Sequence, residues 1–330
     1  MTIKKYFMAG IAAALTLAVA APVQAQDYPS RDITFIVPFN PGGSSDPLSR
    51  AFAAQLEKTL KGNINVENRA GGSATIGTNL VVTAAPDGYT IGLGDSAALI
   101  YQPMVNKNLE YNSTDDYTVI TKLADVPGML VVKADAKWNT FEEFLEDARK
   151  NPGKLRAGVS GVRSISDLVV QQLNRAADVD IATVPFTGGG GEALLAVMGG
   201  RIEAAIGYGG NTIAQVNAGK LKVLAVFAKG DYPPVPDAIS VPDDAGFAAY
   251  IPASYTIIAP KDLPKDVLDK LAAASKEAIE TPEMKEFAAK SGFVLDPKGP
   301  DDARAELKDL SVEMTGLLKW MDEKEAKAGK

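Results

Sequence analysis

Ile33-Thr-Phe-Ile-Val-Pro-Phe-Asn-Pro-Gly-Gly-Ser-Ser-Asp-Pro-Leu48 holds one complete structural unit in a short stretch. The apolar, β-branched run Ile33–Val37 reads as a strand, and Pro38 to Gly43 breaks it. Ser44, Ser45, Asp46 and Pro47 are helix-start residues. Leu48, Ala51, Phe52, Leu56 and Leu60 then recur at helical spacing. Working outward, the same alternation continues. Strands are expected at Ile64–Val66, Tyr89–Leu93, Met129–Lys133, Leu155–Val159, Ile181–Pro185, Ala204–Gly207, Leu221–Phe227 and Tyr255–Ile258. Helices are expected to about Ala84, over Phe141–Lys150, from Ser166 to about Ala176, over Glu192–Met198, after Gly207, and over Lys265–Glu280 and Pro300–Glu325. Strands alternating with helices define an α/β protein with mainly parallel sheets flanked by helices.

The length of 330 residues suggests two folding units. No low-complexity linker divides them, so the chain is expected to cross between lobes more than once. The expected division is residues 26–124 plus 229–330 for lobe I and 125–228 for lobe II, with crossings near Ala124–Pro127 and Ala228–Pro233. Residues 1–25 are expected to be a secretory signal peptide. Lys4 and Lys5 precede an apolar run that is too short to span a bilayer, and Val23 and Ala25 place cleavage after Ala25. Removing that segment takes away two lysines and no acid, so the exported chain is more acidic than the full chain's −7. The periplasm is the expected location.

The chain has no cysteine and no histidine. That excludes disulfides, thiolate nucleophiles, Ser-His-Asp triads and His- or Cys-bound zinc. An acidic balance argues against nucleic acid as a partner. Three superficial motifs fail. Gly92-Leu-Gly-Asp-Ser-Ala97 only loosely fits a dinucleotide fingerprint, Gly188–Gly191 lacks the Lys-Ser/Thr of a phosphate loop, and no EF-hand spacing appears. There is also no G-x-S-x-G elbow and no S-x-x-K. No metal and no cofactor are expected.

What does recur is a strand followed by a Gly/Ser-rich loop and a helix start, at Asn40–Asp46, Gly94–Ala97, Ser160–Ser166 and Thr187–Glu192. Helix N-termini carry unpaired N–H groups, glycine lets backbone approach a ligand, and hydroxyls add neutral donors. In open α/β sheets ligands sit beyond the carboxyl ends of the strands. Four such loops facing one cleft would hold a small anion; singly, each is an ordinary tight βα turn. The candidate ligand residues are Asn40, Pro41, Gly42, Gly43, Ser44, Ser45, Ser96, Ser160, Gly161, Arg163, Ser164, Thr187, Gly188 and Gly189. Arg163 is either a bidentate carboxylate clamp or a solvated surface residue. Arg69 reads as a tie between loops, and Asp46 as a helix-capping group rather than a ligand.

Several ordered blocks resemble the substrate-binding proteins of tripartite tricarboxylate transporters, the Bug receptors. They are Tyr28-Pro-Ser-Arg31, Ile36–Asp46 with Arg50, Val66-Glu-Asn-Arg69 with Gly71-Gly72 and Ile76-Gly77, Ala85–Thr90, Asn151–Leu155, Val184–Gly190 and Gly199-Gly200. The resemblance implies a two-lobed Venus-flytrap periplasmic binding protein that captures a carboxylate and delivers it to a membrane permease, without catalysis. It places ligand on Pro41–Ser45 and on loops near Ser160–Ser164 and Thr187–Gly189. The chain differs from the family at Arg163, where a small residue is common, at Phe186 and Thr187, where Tyr and Lys are common, and near Tyr250–Tyr255, where a Trp is usual. The expected solute is a C4 dicarboxylate, a tricarboxylate or an aromatic carboxylate, bound by a monomer. With no histidine, binding is expected to vary little between pH 6 and 8. An exported α/β enzyme and a sensor partner of a membrane kinase are the competing readings.

Overall fold

Two six-stranded sheets organise the residues that the computed structural model describes, 28–41, 45–186 and 190–328. The expected signal segment lies outside the described residues. Numbering runs along the chain. The first sheet holds β1 (Ile33–Val37), β2 (Ile64–Asn68), β3 (Thr90–Asp95), β4 (Tyr117–Val126), β11 (Ala253–Pro260) and β12 (Val294–Lys298), in the order β12-β4-β11-β3-β1-β2. The second holds β5 (Gly128–Lys133), β6 (Arg156–Val159), β7 (Ala182–Pro185), β8 (Ala204–Gly207), β9 (Leu221–Phe227) and β10 (Ile239–Ser240), in the order β10-β9-β5-β8-β6-β7. Helices flank both: α1 (Ser45–Leu60), α2 (Thr75–Val82), α3 (Gln102–Val105), α4 (Phe141–Lys150), α5 (Ile165–Ala177), α6 (Gly190–Met198), α7 (Gly209–Asn217), α8 (Lys265–Glu280), α9 (Pro282–Ser291) and α10 (Pro300–Ala328). A wide π-type turn, Ala97–Tyr101, precedes α3. Among the described residues no helix is long and apolar enough to cross a membrane.

The α/β class and the two lobes are as expected, but both sheets are mixed rather than mainly parallel. The βα strands keep their direction: β1 pairs in parallel with β2 and β3, and β6 with β7 and β8. The strands that enter each sheet from the other run against them. β5 is antiparallel to β8 and β9, and β11 to β3 and β4. A strand that arrives at the edge facing the other sheet must run back from that edge, and this reverses it. Pro127 alone separates β4 from β5. Past the expected return at Ala228–Pro233, β10 at Ile239–Ser240 pairs with β9 of the second sheet.

Apolar faces seat the helices. Leu48, Phe52 and Leu56 of α1 are fully buried, and the Phe52 ring lies 6.0 Å from that of Phe35 on β1. Each such side chain contributes roughly 1.5–3 kcal/mol through burial. Helix α4 buries Phe141, Phe144, Leu145 and Ala148. It opens on a reciprocal cap: the Thr140 hydroxyl accepts from the Glu143 amide at 3.1 Å, and the Glu143 carboxylate accepts from the Asn139 amide at 2.6 Å. Thr140→Ala is expected to lower the unfolding free energy by about 1 kcal/mol, read as a shifted urea midpoint at constant slope.

Helix α10 ties the layers together. It packs on β4 and on the π-turn of the first sheet, and against α5 of the second. Gln172 of α5 donates to Glu313 at 2.5 Å, and Lys324 pairs with Asp180 at 2.6 Å.

Candidate functional site

The four Gly/Ser loops follow the carboxyl ends of β1, β3, β6 and β7. After β1 the chain passes Asn40 and Pro41, both exposed, and α1 begins at Ser45, which is buried. Gly42, Gly43 and Ser44 lie outside the described residues, as do Thr187, Gly188 and Gly189. The first loop is braced from β2: the Asn68 amide donates to the Phe39 carbonyl at 3.1 Å and to Asp46 Oδ1 at 2.9 Å. Arg50 donates to the same Asp46 oxygen at 3.0 Å. Asp46 thus lies in the first turn of α1, committed to bracing.

After β3, Ser96 is fully buried and bridges backbone. Its Oγ donates to the Pro252 carbonyl at 3.3 Å and accepts from the Ser254 amide at 3.2 Å. Asp95 beside it accepts from the amides of Ala97 at 2.9 Å and Ala98 at 3.4 Å. Burial nevertheless pushes its carboxyl up to about 6, against the lowering effect of those amides.

After β6 three serines converge. Ser166 Oγ accepts from the Ser160 amide at 2.8 Å and lies 3.0 Å from Ser160 Oγ and 2.9 Å from Ser164 Oγ. Ser166 is almost fully buried and was absent from the sequence-derived candidates, although it stands two residues past Ser164. Gly161 has φ 145°, a conformation that side chains rarely adopt. Arg163 takes φ 54°, and its amide donates to Asp167 Oδ2 at 2.6 Å. Its guanidinium turns to the first sheet's side, 3.4 Å from Asp322 and 3.6 Å from Glu325 of α10, beside the Tyr101 hydroxyl. Burial raises the Tyr101 pKa and Arg163 opposes that rise.

Contacts show which loops meet. Arg163 from the β6 loop reaches Tyr101 of the turn after β3. Tyr208, just past β8, has Tyr255 of β11 and Asp95 as its electrostatic neighbours, and burial holds its hydroxyl neutral. The Phe39 ring after β1 stands edge-on to Tyr255 at 6.5 Å. The end of β3 and the turn after it therefore meet the loops that follow β6 and β8 of the other sheet.

A hollow of about 570 Å³ is lined among others by Lys122, Asp125, Lys229, Tyr250 and Glu313. Asp125, Asp296 and Glu306 come close enough there to hold a metal ion. However, the Lys122 ammonium sits 2.8 Å from both Asp125 and Asp296 and also bonds Glu306, and Lys298 bonds Asp296 and Glu306. Two ammonium groups already bridge the three carboxylates and occupy the space between them, so this is an ion cluster.

Two lobes joined by crossing strands, with strand-end turns of the two sheets in contact at Tyr101 and Arg163, have the architecture of a two-lobed periplasmic binding protein. Residues 48–306 match the sequence profile described as tripartite tricarboxylate transporter family receptor. The chain belongs to that family. It is 34% identical over 278 residues to a protein of Agrobacterium vitis, covering 82% of this chain and 78% of the relative. The solved structure of the periplasmic binding protein BugD superposes with a TM-score of 0.77 at 28% identity, covering 88% of this chain and 98% of BugD. MatC from Rhodopseudomonas palustris with bound malate superposes with a TM-score of 0.76 at 26% identity, covering 88% of this chain and 99% of MatC. The family is one of solute-binding receptors.

Proposed function

We propose that this protein is a periplasmic receptor that encloses a small carboxylate between its two sheets and passes it to a tripartite tricarboxylate-type membrane permease. The observation that carries the proposal is the opposition of strand-end loops from the two lobes, built from neutral hydrogen-bond donors. Hydrogen bonds to a carboxylate are worth about 1.5–3 kcal/mol each, so a handful gives micromolar affinity, about −8 kcal/mol. The Ser160, Ser164 and Ser166 hydroxyls bond one another rather than a base, which suits binding better than nucleophilic attack. The malate held by a structural neighbour supports a dicarboxylate among the expected solutes. Residues 1–25 serve in this reading as the export signal, cleaved after Ala25, and the mature chain acts as a monomer. The lobes divide at Pro127 and again after Ser240.

Thermal denaturation with di-, tri- and aromatic carboxylates tests the proposal. A true solute raises the midpoint progressively with concentration and is recovered unchanged. Conversion of the solute would favour the enzyme reading, and no shift with any carboxylate would overturn the receptor reading. Arg163→Ala is expected to weaken a dicarboxylate and its monoamide equally and by only a few fold, because its guanidinium is engaged by Asp322 and Glu325. A loss confined to the dicarboxylate in titration calorimetry would restore the clamp.

A further inference from the structure

Two polar side chains, one from each lobe, lie within electrostatic reach of each other without a mutual hydrogen bond. Asp95 ends β3, and its Oδ1 takes both the Ala97 and Ala98 amides, which leaves Oδ2 without a hydrogen bond among the described residues. Tyr208 follows β8, and its hydroxyl is enclosed and has no hydrogen-bond partner among the described residues. Tyr255, the register partner of Asp95 on β11, completes the neighbourhood, and Tyr111 lies within electrostatic reach of Asp95. Gly128, the first residue past the Pro127 crossing, packs beside Tyr208: a Cβ there would stand 3.4 Å from the phenol oxygen and 3.1 Å from Ile206 Cγ2. A buried unpaired hydroxyl costs stability, so its retention suggests that it is paired in another state of the protein.

We propose that Asp95 and Tyr208 determine solute specificity by reading a hydroxyl group on the bound carboxylate, which enters between them at the cleft floor as the lobes move. The inference rests on the receptor reading above and deepens it. A hydroxyl alone satisfies both sides, accepting from the Tyr208 O–H and donating to Asp95 Oδ2. A methylene leaves both unpaired, and a second carboxylate would accept from Tyr208 but be repelled by Asp95. An ammonium satisfies Asp95 and leaves the phenol proton without an acceptor. The selected class is therefore the 2-hydroxy carboxylates over their deoxy counterparts.

The pair also alters the pH expectation drawn from the absence of histidine. Asp95, with a carboxyl at about 6, titrates between pH 5 and 7, while Tyr111 and Tyr208 near it stay neutral. An acid whose folded pKa is raised adds stability below its unfolded value of 3.8 and loses it as pH rises through about 6. Asp95→Asn keeps an oxygen for the two amides, so it is expected to melt higher than the parent at pH 8, with the gap closing toward pH 4.

Matched solute pairs test the assignment by titration calorimetry: malate with succinate, citrate with tricarballylate, and mandelate with phenylacetate. Wild type is expected to prefer the hydroxylated member of whichever pair it binds by about tenfold. Asp95→Asn and Tyr208→Phe are each expected to bring the ratio within about twofold, because each removes one of the two groups that a methylene leaves unpaired. The wild-type preference should weaken below pH 6, and that of Asp95→Asn should be flat with pH. Equal binding of both members by wild type, or a preference that survives both substitutions, overturns this inference and leaves the receptor reading standing. No binding of any pair overturns this inference, and the receptor reading falls with it only if no other carboxylate shifts the thermal midpoint.

Discussion

Lys122→Met is expected to cost about 3–5 kcal/mol of folding stability. The Lys122 side chain is 2% exposed, in the middle of β4, and its ammonium bonds Asp125, Asp296 and Glu306. Burial alone would lower its pKa, but the three carboxylates outweigh that and hold it above the ordinary lysine value. The stability that its charge contributes is therefore complete below the ordinary lysine pKa and is lost only above it, as pH rises toward the raised folded value. Removing the ammonium strands Asp125, whose side chain is 10% exposed, whereas Asp296 and Glu306 keep Lys298 as a partner. Lys122→Met combined with Asp125→Leu should recover most of the loss, because a buried pair replaced by apolar groups is often neutral while a half-removed pair is not. Urea unfolding of the two single variants and the double variant decides this. A loss below 1 kcal/mol for Lys122→Met would show that Lys298 can take over the whole cluster. On the acid side, Lys122 and Lys298 together hold Asp296 below the usual carboxylate range despite its partial burial. Its contribution is present above that range and declines as pH falls into it.

The same cluster shows why part of the fold was hidden in the sequence. The run from Tyr117 to Val126 contains Thr118, Thr121, Lys122 and Asp125, and so lacks the apolar pattern of a central strand. All ten of its residues are nonetheless buried, because the charges neutralise one another inside the protein. Alternation cannot reveal a strand whose polar residues find partners far along the chain, here at Asp296 and Glu306. The βα strands were legible because their apolar runs end in Gly, Ser or Pro. Phe141–Lys150 was legible to its boundaries because Thr140 caps it and Asn151 follows it. Helix α9 follows α8 with only the Thr281 cap between them, and the preceding helix's pattern masks it. At the site, the serine-rich loop after β6 was visible as composition, but the organising role of Ser166 depends on a loop that folds back on itself. The engagement of Arg163 depends on α10, more than a hundred residues away in the chain. Asp95 was read only as part of a failed dinucleotide motif, since nothing local shows that a carboxylate at a strand end will be fully enclosed.

Arg163→Glu is expected to weaken solute binding by roughly five- to thirtyfold at low salt while leaving the fold intact. Arg163 belongs to the β6 loop of the second sheet, and Tyr101, Asp322 and Glu325 belong to elements packed on the first. The contact therefore joins the two lobes beside the serine loop. Asp322 and Glu325 are two-thirds exposed, so their attraction for Arg163 is worth at most about 1 kcal/mol, and that alone would move affinity only a few fold. Charge reversal removes this attraction and adds repulsion of similar size, a swing of about 1–2 kcal/mol against the arrangement in which the lobes touch. A solute that binds between touching lobes loses apparent affinity by the same factor, because the competent population shrinks. Raising the salt to about 1 M, where charges are screened beyond about 3 Å, should bring variant and parent together. Combining Arg163→Glu with Asp322→Arg and Glu325→Arg should restore affinity at low salt. If Arg163 instead clamps the solute directly, the loss will track the number of carboxylates on the solute and the charge-swapped triple variant will not recover. Affinity within twofold of the parent at low salt would show that the lobes are held together by Gln172–Glu313 and Lys324–Asp180 without help from Arg163.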